Sequence, residues 1–282
     1  MRKLLFLMIF VLTLPAAAFA ADAPKESVFE RVMRTNTLRC GYFDWQPNYW
    51  VDSKTGKPQG VFFDVMQEIS RIANLKIEWT QEVQFAHLIT DLQEGRVDAV
   101  CTGIWANATR ARQILFSQPV FYVRINTYVK PDDKRFEADL SVLNTPDKKI
   151  GVMDGEMAMD IKNTDFPRAQ AVSVPQLAGT GSELLMLVST GKADATFTDA
   201  ASGYAFMKAN PGTIRAVASE IPVRTIPNVI AVNGSELRLK QFLDDTLQQL
   251  QNSGVIEKIL KRYDGQFPDA LLRPARTYEV KK

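Results

Sequence analysis

The chain has 282 residues, 46% of them hydrophobic and 23% charged, with 34 basic side chains against 32 acidic ones. This is the composition of an ordinary globular protein. A net charge of only +2 lacks the electrostatic footprint of a nucleic-acid binder, and the length accommodates one large or two modest domains of about 100 to 200 residues each.

The first twenty residues read as a cleavable signal peptide. Arg2 and Lys3 form a basic start, Leu4 to Leu14 are almost wholly apolar, and Pro15-Ala16-Ala17-Ala18-Phe19-Ala20 ends in an Ala-x-Ala pattern. The apolar run falls short of the ~20 residues that span a bilayer, and no cysteine follows it to carry a lipid. An exported protein of a bacterial periplasm is expected, cleaved near Ala20, with a mature chain of 262 residues in which 32 basic and 32 acidic residues cancel.

Ser27 is placed to cap a helix over residues 28–34, Leu38 to Tyr42 forms a short strand, and residues 64–73 have the apolar spacing of an amphipathic helix. Ile77 to Thr80 gives a second strand. The segment from Leu88 through Gly95-Arg96-Val97-Asp98-Ala99 then reads as an apolar helix stopped by Gly, a basic residue, and a strand opening with Asp-Ala.

After Pro146 a similar series begins: a strand over Lys149 to Met153, a helix over Met157 to Lys162, and a strand over Ala171 to Val174. A helix capped by Thr180 or Ser182 follows and runs from Leu184 into Gly191-Lys192-Ala193-Asp194-Ala195, a second copy of the same pattern, with a strand over Ala195 to Thr198. Such alternation predicts parallel sheets with crossover helices. Ligands bind outside the carboxyl ends of strands in open sheets of this kind. There the two copies differ, since Gly103 and Asp199 stand at the same offset from Asp98 and Asp194.

The last segment has no counterpart in the middle series. Val229 to Val232 is a strand, Asn233 or Ser235 is the expected cap, and Leu237 to Ser253 is a long amphipathic helix stopped at Gly254, with a second helix over Val255 to Tyr263. These elements are expected to pack back on the first lobe. The division expected is residues 1–20 as signal peptide, 21–122 with 226–282 as one lobe, and 123–225 as the other. Two extended crossings, near residues 122–126 and 223–227, supply a hinge.

Cys40 and Cys101, the only cysteines, fall in predicted strands of the first half. The compartment permits a disulfide; buried thiols packing as small apolar groups are the alternative. Both readings stand at this point, because the Cα separation that a bridge requires is not written in the sequence.

Taken in order, Leu38-Arg39-Cys40-Gly41-Tyr42, Gly60-Val61-Phe62-Phe63-Asp64, Leu88-Ile89 through Asp98-Ala99, Arg110 with Phe116-Ser117-Gln118-Pro119, Ile150-Gly151-Val152 and Thr198-Asp199-Ala200 resemble the family-3 periplasmic solute-binding proteins, the polar amino-acid receptors of bacterial ABC importers. The resemblance spans essentially the whole mature chain. It implies an α/β, two-lobed periplasmic binding protein of type II, each lobe a mostly parallel sheet flanked by helices, with two hinge crossings. The function it implies is capture of an amino acid or similar small zwitterion and delivery to an inner-membrane ABC permease, by a monomer that uses no cofactor.

The resemblance further implies that Arg110, twelve residues after Asp98, forks onto the ligand carboxylate. A planar guanidinium that stays charged when buried suits that task. Asp199 is implied as the partner of the ligand ammonium. Each has a plain alternative: Arg110 lies in the run Thr109-Arg110-Ala111-Arg112, where a surface Arg makes a solvated contact, and Asp199 can cap the next helix. Thr102 and Gly103 keep small polar or backbone donors.

The chain departs from the family pattern at two places. Trp105 and Ala108 stand five and two positions before Arg110, where a small hydroxyl residue is common. Gly155-Glu156-Met157 replaces a Gly-Thr, so the helix-start N–H groups remain and Glu156 adds a negative charge. In the cleft Glu156 would favour a cationic ligand group; on the surface it is a first-turn acid suited to the helix dipole. Tyr42 and Trp45, with Phe85, match positions whose aromatics stack on the ligand side chain, and Trp105 extends that wall. Core packing is the alternative for each ring.

Gly179-Thr180-Gly181-Ser182 lacks the Lys and spacing of a phosphate loop and reads as a capped helix start. His87 is the only histidine, with no Cys-x-x-Cys beside it, so no metal site is expected. Two other functions suit the same scaffold. One is a periplasmic enzyme of the cyclohexadienyl dehydratase kind, which needs an acid or base in the cleft, with Glu156 and Asp199 as candidates; the other is a sensory binding protein that docks a receptor.

Overall fold

The computed structural model describes residues 26–137, 139–175, 181–217 and 222–275. The signal-peptide segment and Gly179-Thr180 lie outside the described residues. A capping box opens helix α1 (Val28–Thr35): Ser27 Oγ accepts the Glu30 N–H, and the Glu30 carboxylate accepts the Ser27 N–H. Strand β1 (Thr37–Tyr42), a short hairpin of β2 (Trp50–Val51) and β3 (Pro58–Gln59), helix α2 (Val61–Ala73) and strand β4 (Lys76–Glu82) follow.

Helix α2 starts earlier than the apolar spacing predicts, because the preceding loop supplies acceptors for its first amides. Val61 N–H donates to Pro47 O and Phe62 N–H to Asn48 O. The helix then buries Val61, Phe62, Val65, Met66 and Ile69, each contributing roughly 1.5–3 kcal/mol of apolar burial. The first copy of the repeated pattern is helix α3 (Leu88–Gln93) and strand β5 (Ala99–Trp105), followed by α4 (Ala108–Ala111), β6 (Ile114–Phe116) and the long β7 (Phe121–Val129).

The second series is β8 (Lys149–Met153), α5 (Met157–Asp165), β9 (Gln170–Val174), α6 (Ser182–Ser189), β10 (Ala195–Asp199), α7 (Ala200–Ala209) and β11 (Arg215–Ala216). Ser182 is the first residue of α6 rather than its cap, a place taken by Gly181 without a side-chain bond. The two copies of the pattern are locked alike. Gly95 and Gly191 adopt φ of +68° and +73°, the left-handed turn that lets the chain leave a helix at once. The Asp that follows then exchanges two hydrogen bonds with a neighbouring strand. Asp98 donates its N–H to Arg39 O (2.9 Å) and accepts the Arg39 N–H (2.7 Å); Asp194 does the same with Lys149 (2.8 and 2.8 Å).

The final elements are β12 (Arg224–Asn233), α8 (Leu237–Asn252), α9 (Val255–Asp264) and β13 (Leu271–Leu272). The sheet runs in the order β4-β1-β5-β12-β7-β10-β8-β9. Within it β4-β1-β5 and β10-β8-β9 are parallel sets, joined through the antiparallel pair β12 and β7. Phe121 to Ile125 pair with Asn228 to Arg224, so the two predicted crossings run side by side as one ladder.

Helices α8 and α9 lie against α2. The Tyr263 hydroxyl on α9 donates to the Asp64 carboxylate (2.7 Å) and accepts the Gly60 N–H (3.0 Å). Neither Asn233 nor Ser235 caps α8: the residue before that helix is Glu236, and Asn233 Oδ1 accepts the Ser235 N–H instead. Glu236 reaches α1, where its carboxylate accepts the N–H of Val28 (3.0 Å) and Phe29 (3.2 Å). The free amides and dipole of a helix start attract an acid there. Among the described residues, no helix is long and apolar enough to cross a membrane.

Cys40 on β1 and Cys101 on β5 form a disulfide, with Cα atoms 5.5 Å apart. The bridge spans 61 residues of chain, for which loop-closure entropy gives about 4 kcal/mol. It fixes the strand that leads to Trp45 and the strand that ends at Trp105.

The paired aspartates differ in burial. The Asp98 side chain is wholly buried and meets Arg31 (2.5 Å) and Arg39 (2.7 Å), whereas Asp194 is 23% exposed and meets Arg135 (2.7 Å). Asp98→Asn should therefore cost roughly 3 kcal/mol, the penalty of breaking a buried pair. Asp194→Asn should cost about 1 kcal/mol or less, as solvent screens the charge. Urea unfolding of the two variants checks this; equal losses would mean that burial does not set the cost.

Candidate functional site

Where the two parallel sets meet, the carboxyl ends of β5, β8 and β10 open on one cavity of about 630 Å³ including its mouth. The first half contributes Trp45, Phe85, Trp105 and Arg110; the second contributes Met153, Glu156, Met157, Leu184, Phe197 and Asp199. Seven of the residues singled out in the sequence thus come together from both sides.

Arg110 is held from its own backbone outward. Asn107 caps the short α4 by accepting the Arg110 N–H (2.8 Å), and Nη1 donates to Trp105 O (3.2 Å). Nη2 donates to Glu156 Oε1 across the cavity at 2.5 Å. The guanidinium also lies 5.9 Å from the Phe85 ring centroid. With 9% of its side chain exposed, Arg110 is no solvated surface residue.

Glu156 immediately precedes α5 yet makes no side-chain cap bond to it. Its side chain, 14% exposed, leans across to Arg110. The carboxylate therefore faces the cleft and not the surface.

Asp199 closes β10 and is buried. Its Oδ1 accepts the Ser202 N–H (2.9 Å), so it both caps α7 and lines the cavity. Burial pushes its carboxyl above the ordinary range, opposed by the hydrogen bonds from Ser202 and Ala201. The Tyr128 hydroxyl donates to Asp199 O (3.3 Å). Helix α7 passes so close that a Cβ on Gly203 would sit 1.9 Å from that hydroxyl, so glycine is required there.

The rings form a connected wall. Trp45 meets Trp105 edge-on at 5.4 Å and Phe85 at 6.4 Å, while Phe85 stacks on Phe43 at 4.4 Å. The Trp105 indole nitrogen is buried with no hydrogen-bond partner among the described residues.

Three expected residues do not line this cavity. Tyr42 packs between Tyr49 (5.1 Å) and Trp79 (6.4 Å), because alternation along β1 sends its ring away from Phe43. The Thr102 hydroxyl is buried and accepts the Phe43 N–H (3.0 Å), binding strand to loop. Gly103, at φ +79°, is covered by the Phe62 ring, 2.6 Å from where a Cβ would stand. His87 is exposed.

The sequence reading missed Met153, Leu184, Phe197 and Thr198, all of which line the cavity. Met153 ends β8, and Phe197 and Thr198 fall in the last three residues of β10. The strand-end rule that singled out Asp199 reaches them too, whereas Leu184 carries no such signal.

The sequence profile of the bacterial extracellular solute-binding proteins, family 3, matches residues 38–266. A probable histidine-binding protein of Neisseria gonorrhoeae is 25% identical over 233 residues, 78% of this chain and 80% of that protein. An ancestral amino acid-binding protein described as a precursor of cyclohexadienyl dehydratase has TM-score 0.69 at 23% identity, covering 86% of this chain and 100% of its own. An ancestral arginine-binding protein bound to arginine has TM-score 0.67 at 25% identity, covering 81% and 98%. These neighbours share the two-lobed periplasmic binding protein fold expected from the motif order. With a profile match across most of its length, the chain belongs to the bacterial extracellular solute-binding proteins, family 3.

Proposed function

We propose that this protein is a periplasmic receptor that closes on an amino acid with a cationic side chain and delivers it to an inner-membrane ABC permease. Its lobes are residues 21–122 with 226–282, and residues 123–225. The observation that carries the reading is the charge set of the cavity: Arg110, Glu156 and Asp199 among aromatic and methionine walls. Arg110 and Glu156 cancel, which leaves one negative charge once Asp199 is ionised, the form that a ligand ammonium favours. The α-carboxylate and α-ammonium of an amino acid also cancel. One further positive charge on the ligand then brings the desolvated site to neutrality, as burial of charge demands. The names of the relatives, histidine-binding and arginine-binding, support that class.

In this reading Arg110 holds the ligand carboxylate, Asp199 the ammonium, and Trp45, Phe85 and Trp105 face the side chain. A ligand that touches both walls only when they are close stabilises the closed form. A binding role is favoured over catalysis because Asp199 is fixed as a helix cap and His87 is exposed. The basic-apolar-Ala-x-Ala start supports export to the periplasm.

Calorimetric titration with L-histidine, L-arginine and L-glutamine tests the reading. L-arginine, and L-histidine below about pH 6 where its imidazole is charged, should bind more tightly than L-glutamine, and no heat from any of them would sink it. Arg110→Ala should weaken binding by about 30- to 4,000-fold, since stripping one partner from a desolvated charge costs roughly 2–5 kcal/mol. Unchanged affinity would remove Arg110 from the site.

Asp199 supplies a pH signature. Burial raises its carboxyl, so its contribution to stability is fully present below the ordinary carboxylate range and is lost as pH rises through the raised value. An ammonium group favours the ionised form, so binding within that window should release a proton. Titrations at mildly acid pH in buffers of different ionisation heat should then differ, and Asp199→Asn should abolish the difference. Buffer-independent heats in the unmutated protein would mean that no cation meets Asp199.

A further inference from the structure

The Arg110–Glu156 pair joins the two walls of the cleft through their side chains. Arg110 belongs to the turn after β5 and Glu156 to the start of α5, on opposite sides of the cavity. A second cavity, lined by Asn107, Asp160, Thr164 and Arg224 among others, shares Trp105, Arg110, Glu156 and Met157 with the first. The ion pair therefore borders both spaces.

The arrangement is asymmetric. Nη1 of Arg110 is tied to the carbonyl of Trp105 on its own wall, and only Nη2 reaches across. Glu156 stands where a carboxylate ordinarily serves the amides of its own helix, and it makes no side-chain cap bond there. The contact joins two little-exposed charged groups, and charge-assisted hydrogen bonds are stronger than neutral ones.

We infer that Glu156 is an internal competitor for Arg110: it holds the two walls together and must be displaced before a ligand carboxylate can take the guanidinium. Two carboxylates crowded on the same nitrogen would repel, so occupation by Glu156 and by the ligand is mutually exclusive. The apparent affinity for any carboxylate ligand is then reduced by the fraction of molecules in which the pair is open. The inference rests on the receptor reading only in assigning a ligand carboxylate to Arg110; the latch itself does not depend on which ligand is bound.

Small-angle X-ray scattering of the extensively dialysed protein tests the latch without any ligand. Glu156→Gln, nearly isosteric, should give a larger radius of gyration than the unmutated protein, with near-UV circular dichroism showing that the fold is intact. Glu156→Asp, one methylene shorter, should open the protein likewise and stands in if the Gln variant folds poorly. Equal radii for both variants and the unmutated protein would overturn the inference.

The second arm uses L-glutamine, whose side chain carries no charge to meet Glu156. Glu156→Gln should bind it about 5- to 150-fold more tightly, the usual range of such coupling. Equal or weaker binding would mean that Glu156 does not compete with the ligand, and would overturn the inference. Failure of the receptor reading shows separately, as silence of every amino acid with every variant, and the scattering result decides the latch even then.

Discussion

A carboxylate withdrawn from water costs several kcal/mol unless donors meet it, and this chain places carboxylates at the points where its elements must join. Asp98 ties β5 to β1 and draws in Arg31 and Arg39. Glu236, next to α8 in sequence, instead satisfies the first amides of α1 from the other end of the chain. Asp64 on α2 takes the hydroxyl of Tyr263 on α9. Each contact is far in sequence and short in space, so each carboxylate is satisfied only when the C-terminal helices and the first lobe's strands are correctly docked. The requirement to pair buried charge thus helps specify the assembly, while apolar burial supplies most of the driving force.

The same requirement shapes the cleft. Its walls are rings and thioethers, which exclude water and give no shelter to an unpaired charge. Arg110 and Glu156 satisfy each other, whereas Asp199 has no cationic partner beside it among the described residues of the cavity lining, only Ser202 and backbone amides, and a raised carboxyl. In the proposed receptor, that imbalance would discriminate by charge as well as by shape. Weakly screened electrostatics in such an apolar enclosure makes one missing or surplus charge expensive.

Much of the fold was legible because local rules and long-range packing agreed. The cap at Ser27, the Gly-stopped helices and the Asp-Ala strands all appear where the patterns put them. The failures have physical causes. Helix α2 extends beyond its apolar spacing because Pro47 and Asn48 offer carbonyls from a preceding loop, and α8 forgoes its nearby caps because Glu236 serves a distant helix. In the cleft, Tyr42 was misplaced because a ring's presence near a strand end says nothing of the face it takes; one position along, Phe43 stacks on Phe85. Thr102 has a hydroxyl suited to a ligand, but the Phe43 amide claims it first. The disulfide was undecidable in sequence for a related reason, since two strand cysteines bridge only when their strands are neighbours.

The twin Gly-basic-x-Asp-Ala units show how one local lock can support two different walls. Both aspartates bond the neighbouring strand in the same way, so both strands leave the lock in the same geometry. Five residues on, the first strand meets the Phe62 ring, which only a glycine at φ +79° accommodates. That close packing leaves no room for a charged side chain on β5. The first wall's charge is therefore displaced to the next turn, where Asn107 caps α4 and orients Arg110. The second strand meets the start of α7, whose free amides accept a carboxylate at that position, and Asp199 stays on the strand. Opposite charges on facing walls thus follow from what packs behind each strand end, a ring in one case and a helix start in the other.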